Sequence, residues 1–82
     1  MTNFVKATVV SHTDSYEPMT VEFILASSAI MGLKTINEHN DYVVFVKPEF
    51  ILQILSSKFL APRAMSIDRI WIDSQEAKKL LS

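Results

Sequence analysis

The chain begins with alternating apolar and polar residues, a pattern typical of a half-buried strand. Residues 4–10 place Val5, Ala7 and Val9 on one face and polar side chains on the other. A second alternation covers residues 20–25, and the polar run between the two segments ends in a proline. The pattern therefore predicts two strands that pair across a loop at residues 11–18.

Two interpretations fit the segment that follows. In the first, a serine caps a short helical turn through residues 29–31, and Gly32, the only glycine, ends it at a positive φ. In the second, residues 19–33 form one helix, because apolar residues also recur there at helical spacing. The strand followed by a turn is preferred, because β-branched and aromatic side chains crowd a helix.

The next two apolar runs, residues 33–36 and 42–46, are separated by a polar stretch rich in asparagine and aspartate. These two residue types form turns by hydrogen bonding to their own backbone. The spacing therefore predicts a β-hairpin.

A helix is predicted from Pro48, because the first helical position has no need of the amide that proline lacks. Glu49 follows, where a carboxylate complements the positive end of the helix dipole. The apolar residues of this segment recur on one side, at Ile51, Ile54, Leu55 and Phe59. We predict an amphipathic helix of about three turns that ends before Pro62.

Residues 65–72 return to strand composition, and residues 70–72 are apolar on both faces, which predicts cover on both sides for part of this strand. Asp73 followed by Glu76 resembles a capping box, so a short C-terminal helix is expected. The order ββββαβα predicts an α+β fold with a mostly antiparallel sheet of four or five strands and with the helices on one face.

The composition limits the size and chemistry of the molecule. Its 82 residues, of which 49 % are hydrophobic, are expected to form a single domain over residues 1–82. The absence of cysteine excludes a disulfide framework, a thiolate metal site and a cysteine nucleophile. No secretory signal and no membrane span are expected, which favours a cytoplasmic location.

Few residues point to catalysis. A single glycine argues against phosphate-cradling loops, and none of the serines lies in a nucleophile-elbow pattern. We therefore expect no enzymatic activity and no cofactor. One metal site is conceivable if two polar loops meet, since imidazole and carboxylate ligands suit divalent ions. Its candidate ligands are His12, Asp14, His39 and Asp41; their commoner role is in exposed turns.

Charge is unevenly distributed along the chain. Residues 1–54 contain three lysines and six acids, a charge of −3, whereas residues 55–82 contain five basic residues and three acids, a charge of +2. A nucleic-acid-binding regulator that uses this basic third is the alternative hypothesis. Its contact residues would be Lys58, Arg63, Arg69, Lys78 and Lys79.

The leading hypothesis is a small non-enzymatic regulatory or accessory protein, such as an inhibitor, that binds a protein partner. A homodimer is one form of this hypothesis. The second strand and the strand at 42–46 have few charges to protect a sheet edge from pairing. The anchors proposed for a partner are Tyr16, Tyr42, Leu60 and Pro62. Phe4 and Phe59 are expected to pack in the core. The small size, with no support from particular residues, suggests a viral or phage origin.

Overall fold

A computed structural model describes residues 3–81 of the chain. It is an α+β fold in which five strands form one antiparallel sheet and two helices complete the order ββββαβα, as predicted. The elements are β1 (Phe4–Thr13), β2 (Pro18–Ala26), a 3₁₀ turn (Ser27–Ala29), β3 (Ile30–Thr35), β4 (Tyr42–Val46), α1 (Pro48–Leu55), β5 (Ala64–Ile72) and α2 (Ser74–Leu81). In this part of the chain, no helix has the length and apolar character needed to cross a bilayer.

The strands lie in the order β2-β1-β5-β4-β3. Two local hairpins, β1–β2 and β3–β4, are joined by β5, which pairs with β1 on one side and β4 on the other. β2 is an edge strand, as predicted. The prediction that residues 42–46 form an edge was wrong, because β4 lies between β3 and β5.

The sheet is curved, because the short link between its two edge strands requires them to approach each other. In a flat sheet, four strand spacings of ~4.8 Å would separate β2 from β3 by roughly 19 Å. Only three residues separate Ala26, the end of β2, from Ile30, the start of β3. Four Cα steps reach at most ~15 Å. The two edges must therefore approach each other at this link.

The core lies on one face of the sheet. Val5, Ala7 and Val9 of β1 point to this face and are almost completely buried. Ile54 of α1 and Ala77 of α2 belong to the same buried cluster, so both helices cover this inner face, as predicted. Neither α1 nor α2 lies over the outer face.

β1 is longer than predicted, and it shortens the loop that follows. It extends to Thr13 and pairs with β2 over nine residue pairs, which leaves a turn at residues 14–17. The alternative helix over residues 19–33 is wrong, because that pairing holds residues 19–26 in a strand. Gly32 lies inside β3 without a positive φ, so it does not end a helical turn.

α1 begins at Pro48, as predicted, but ends at Leu55 after eight residues and not after three turns. Ser56 Oγ donates a hydrogen bond to the Gln53 carbonyl at 3.1 Å. Such serine hydroxyls compete with helical hydrogen bonds, and turns follow over residues 56–63. As a result, Phe59 leaves the apolar side of the helix and is 62 % exposed.

α2 begins with the predicted aspartate cap, in which the Glu76 amide donates to Asp73 Oδ1 at 2.9 Å. The Glu76 side chain does not complete the capping box. Its Oε2 accepts a hydrogen bond from the Lys6 amide at 2.9 Å, in the part of β1 that precedes its pairing with β5. Lys79 Nζ donates to Glu76 Oε1 at 2.9 Å. The hydrogen bond from Lys79, and next that from the Lys6 amide, lower the pKa of Glu76.

Candidate binding surfaces

The outer face of the β1–β2 hairpin has an exposed group of side chains that we call the outer patch: Phe4, Lys6, Glu22 and Ile24. Phe4 is 60 % exposed and Ile24 is 66 % exposed. Next to them on the same face, Lys6 lies opposite Ile24, and its Nζ is 3.6 Å from Glu22 Oε2. The patch therefore combines two large apolar side chains with one cation and one anion.

The apolar surface of the outer patch continues around the sheet edge. A groove of about 320 Å³ lies between the last residues of β2 and α1. Its lining includes Phe4 and Ile24 of the patch and Phe50 of α1. Because β2 has a strand on one side only, its other backbone edge borders this groove.

A second concave site lies where β4 and β5 separate. The two strands pair only at Tyr42↔Ile72 and Val43↔Trp71, although both continue beyond that point. The space between them is a cleft of about 570 Å³, which we call the β4–β5 cleft. Its lining is mostly apolar and includes Val46, Ile51, Ile67 and Ile70. Its volume is within the range of ligand pockets.

Two β-bulges explain why the strands separate. On one side, the β1–β5 register changes from Val10↔Arg69 to Ser11↔Ile67, so that Asp68 is the additional residue. On the other side, the β3–β4 register skips Met31. Both extra residues line the β4–β5 cleft. Since a bulge bends its strand and increases the local twist, bulges on both flanks draw β4 away from β5.

Two charged side chains, Asp68 and Arg69, line the cleft. Asp68 Oδ2 lies 3.9 Å from His12 Nε2, so the acid faces a histidine on β1. Arg69 is exposed and also lines the cleft. No ion-pair partner for Arg69 is found within residues 3–81. The cleft therefore offers an apolar lining and an available guanidinium group.

The structure does not bring the four candidate metal ligands together. His12 lies in β1 opposite Ser66, near the start of β5. His39 precedes Tyr42, which pairs with Ile72 at the end of β5. Six residues of β5 at ~3.3 Å each place the two histidines roughly 20 Å apart. Over residues 3–81, no group of three or more His, Cys, Asp or Glu side chains could hold a metal ion. Asp14 and Asp41 lie in the separate turns at the two ends.

The five basic residues of the alternative hypothesis lie on different parts of the molecule. Arg63 borders the β1–β2 turn, and Arg69 lies at the β4–β5 cleft. Lys58 Nζ lies 5.4 Å from the centroid of the Phe59 ring. The other two, Lys78 and Lys79, are on α2. This arrangement forms no continuous basic stripe of the kind that follows a nucleic-acid backbone.

The proposed partner anchors differ in exposure. Tyr16 is 74 % exposed in the β1–β2 turn, where its φ of 62° is left-handed. Pro62 is also exposed, whereas Tyr42 is half-buried. Leu60 is fully buried in the core, so it is not accessible to a partner. It lies in the turns that follow α1 and belongs to the buried core cluster.

The outer patch was not predicted from the sequence, because Phe4 was expected to pack in the core. A signal was present in the alternation itself. Phe4 shares its face with Lys6, and Ile24 shares its face with Glu22, so both apolar residues are out of phase with the buried positions. Large apolar residues on the polar face of a strand indicate a surface that another molecule covers.

Comparison with known protein families, with curated proteins and with solved structures found no significant match. The outer patch and the β4–β5 cleft are therefore the features that bear on function.

Proposed function

We propose that this protein is a non-catalytic regulatory or accessory protein that acts by binding other protein chains, and that it does so as a homodimer joined through the outer patch. The observation that supports this most is the exposure of Phe4 and Ile24 on a sheet face that neither α1 nor α2 covers. Aromatic and large aliphatic side chains contribute much of the energy of protein interfaces.

The charges of the outer patch favour a second copy as its occupant. A two-fold interface uses the same surface on both subunits, so the surface must complement itself. With Lys6 beside Glu22, a two-fold axis through the patch brings the lysine of one subunit near the glutamate of the other. Phe4 and Ile24 lie on one side of this ion pair on the same face, so the same contact places their apolar side chains against the other subunit.

The oligomeric state tests the proposal directly. Size-exclusion chromatography with light scattering, over a range of concentrations, should give twice the chain mass of 9.3 kDa. The double variant Phe4→Ser/Ile24→Thr should shift the protein to the monomer while its circular dichroism spectrum is retained. Leu52→Ser is the matched control, because Leu52 is an equally exposed apolar residue on α1 and lies outside the patch.

Charge reversal gives a second, more specific readout. Lys6→Glu should weaken the dimer, because two glutamates then face each other across the axis, and adding Glu22→Lys should restore it. A wild-type protein that stays monomeric at every concentration would contradict the homodimer. A dimer that is unaffected by both the apolar and the charge variants would contradict the choice of the outer patch.

A further inference from the structure

We infer that the β4–β5 cleft binds one extended segment of a partner protein, which places an apolar side chain in the cleft and a carboxylate against Arg69. This inference rests on the proposed protein-binding function and specifies the partner's chemistry. It concerns a different surface from the outer patch, so the two can fail separately.

The backbones of β4 and β5 favour an added strand, because the two strands stop pairing before either of them ends. Continuing the register of Tyr42↔Ile72 would place Phe45 opposite Arg69 and Val46 opposite Asp68. Neither pair forms, because the pairing of β4 with β5 ends at Val43↔Trp71. The facing edges of β4 and β5 therefore offer hydrogen-bonding groups to an added strand. Strand addition is an established mode of peptide recognition.

The walls of the cleft favour an apolar side chain of the partner segment. Ile51 of α1 and Ile67 of β5 are half-buried side chains that line it. Side chains alternate along an extended peptide, so one can point between these residues while its neighbours stay outside. At about 570 Å³, the cleft has room for a large apolar side chain and the backbone that presents it.

The charged side chains at the cleft favour a carboxylate on the partner segment. Asp68 lies near His12, whereas Arg69 has no ion-pair partner in the described part of the chain. A guanidinium group forms its strongest and most directional hydrogen bonds with a carboxylate. An aspartate, a glutamate or a chain terminus on the partner segment supplies that group.

A fatty acid also has an apolar body and a carboxylate, but it fits the cleft less well. It has no backbone, so it would cover the facing edges of β4 and β5 without hydrogen bonding to them. Each buried polar group left unpaired in this way weakens binding, because its hydration is lost and nothing replaces it. The unpaired backbone therefore favours a polypeptide over a lipid.

Selection from a library of random dodecapeptides displayed on phage tests the inference without assuming a sequence. The full-length protein should enrich peptides that share alternating apolar positions and one acidic residue. Backbone amide shifts in ¹⁵N NMR spectra of the protein with a selected synthetic peptide should concentrate at Phe45, Ile67 and Arg69. Replacing the acidic residue of that peptide by its amide should weaken binding about tenfold, the loss of one good charge-assisted contact.

Protein variants make the assignment specific. Arg69→Gln should bind the acidic peptide and its amide form equally, whereas Lys34→Gln, an exposed charge change on β3 outside the cleft, should keep the tenfold difference. No enriched peptide, shifts located elsewhere, or laurate shifting the cleft amides while selected peptides do not, would each overturn the inference. Peptide binding that survives Phe4→Ser/Ile24→Thr supports the cleft even where the homodimer fails. Loss of the dimer in that variant without peptide binding in the wild type supports the outer patch alone.

Discussion

A buried serine gives a sharp test of the packing. Ser11 lies on the inner face of β1, between Met19 of β2 and Ile67 of β5, and is fully buried. Its hydroxyl has no hydrogen-bond partner among residues 3–81. A buried hydroxyl without a partner loses its hydration and gains nothing in return, so we expect Ser11→Ala to stabilise the protein.

The size of the gain follows from two opposing effects. Leaving a hydroxyl unpaired in the core costs about 1–3 kcal/mol, which the substitution recovers. Removing the oxygen loses a few van der Waals contacts of ~0.1–0.2 kcal/mol each and leaves a small void. A net gain of about 1 kcal/mol is expected, which would raise the Tm by about 4–8 °C in a domain of this size.

Thermal and urea unfolding, followed by circular dichroism, measure the difference. Ser66→Ala is the matched control, because Ser66 is an exposed serine in the neighbouring strand β5 and the change in strand propensity is the same. If Ser11→Ala gains nothing over Ser66→Ala, or is less stable than the wild type, the hydroxyl has a partner in solution. That result would refute the reasoning. An internal water molecule bound to the Ser11 hydroxyl would be the first partner to look for.

Three further predictions concern the helices and the core. The lowered pKa of Glu76 means that the folded state disfavours protonation of this carboxylate. Its contribution to the free energy of unfolding is therefore present above the ordinary pKa of 4.5 and is lost as pH falls through the lowered value. Glu76→Gln should flatten the acid side of a stability profile measured between pH 3 and 7. Asp73→Ala should cost about 1 kcal/mol in urea unfolding, and Asp73→Asn much less, because asparagine also caps. Leu60→Ala should cost about 2–5 kcal/mol by the same assay, whereas Leu52→Ala, on the exposed side of α1, should cost less than about 0.5 kcal/mol.

Local patterns in the sequence were sufficient for most of the elements. The start of α1 at Pro48 and the cap at Asp73 depend on residues within one helical turn, so they were predicted correctly. The end of α1 was not, because helical spacing continues to Phe59 while the serines that follow Leu55 form turns. There the apolar residue that enters the core is Leu60, one position later.

The candidate sites depend on features that no local pattern contains. The β4–β5 cleft exists because Met31 and Asp68 are bulge residues in strands on opposite sides of it. Met31 is an ordinary strand residue, and an aspartate such as Asp68 is uncommon in strands but does not by itself indicate a bulge. Their common level in the sheet follows only from the complete register. The position of β4 inside the sheet likewise depends on the pairing of Tyr42 with Ile72, thirty residues further along the chain.

The place of β5 in the sheet also has a consequence for how the chain folds. Both hairpins are local and can form as soon as their own residues are available, and in the described sheet β5 is the strand that pairs with both of them. That strand follows both of them in the chain, and its pairing of Thr8 with Trp71 closes a long loop. Loop closure of this kind must precede the contacts that reward it, so we expect folding to be slower than in a helical protein of equal length. Substitutions in β5 should then slow folding, whereas those confined to β2 should mainly speed unfolding.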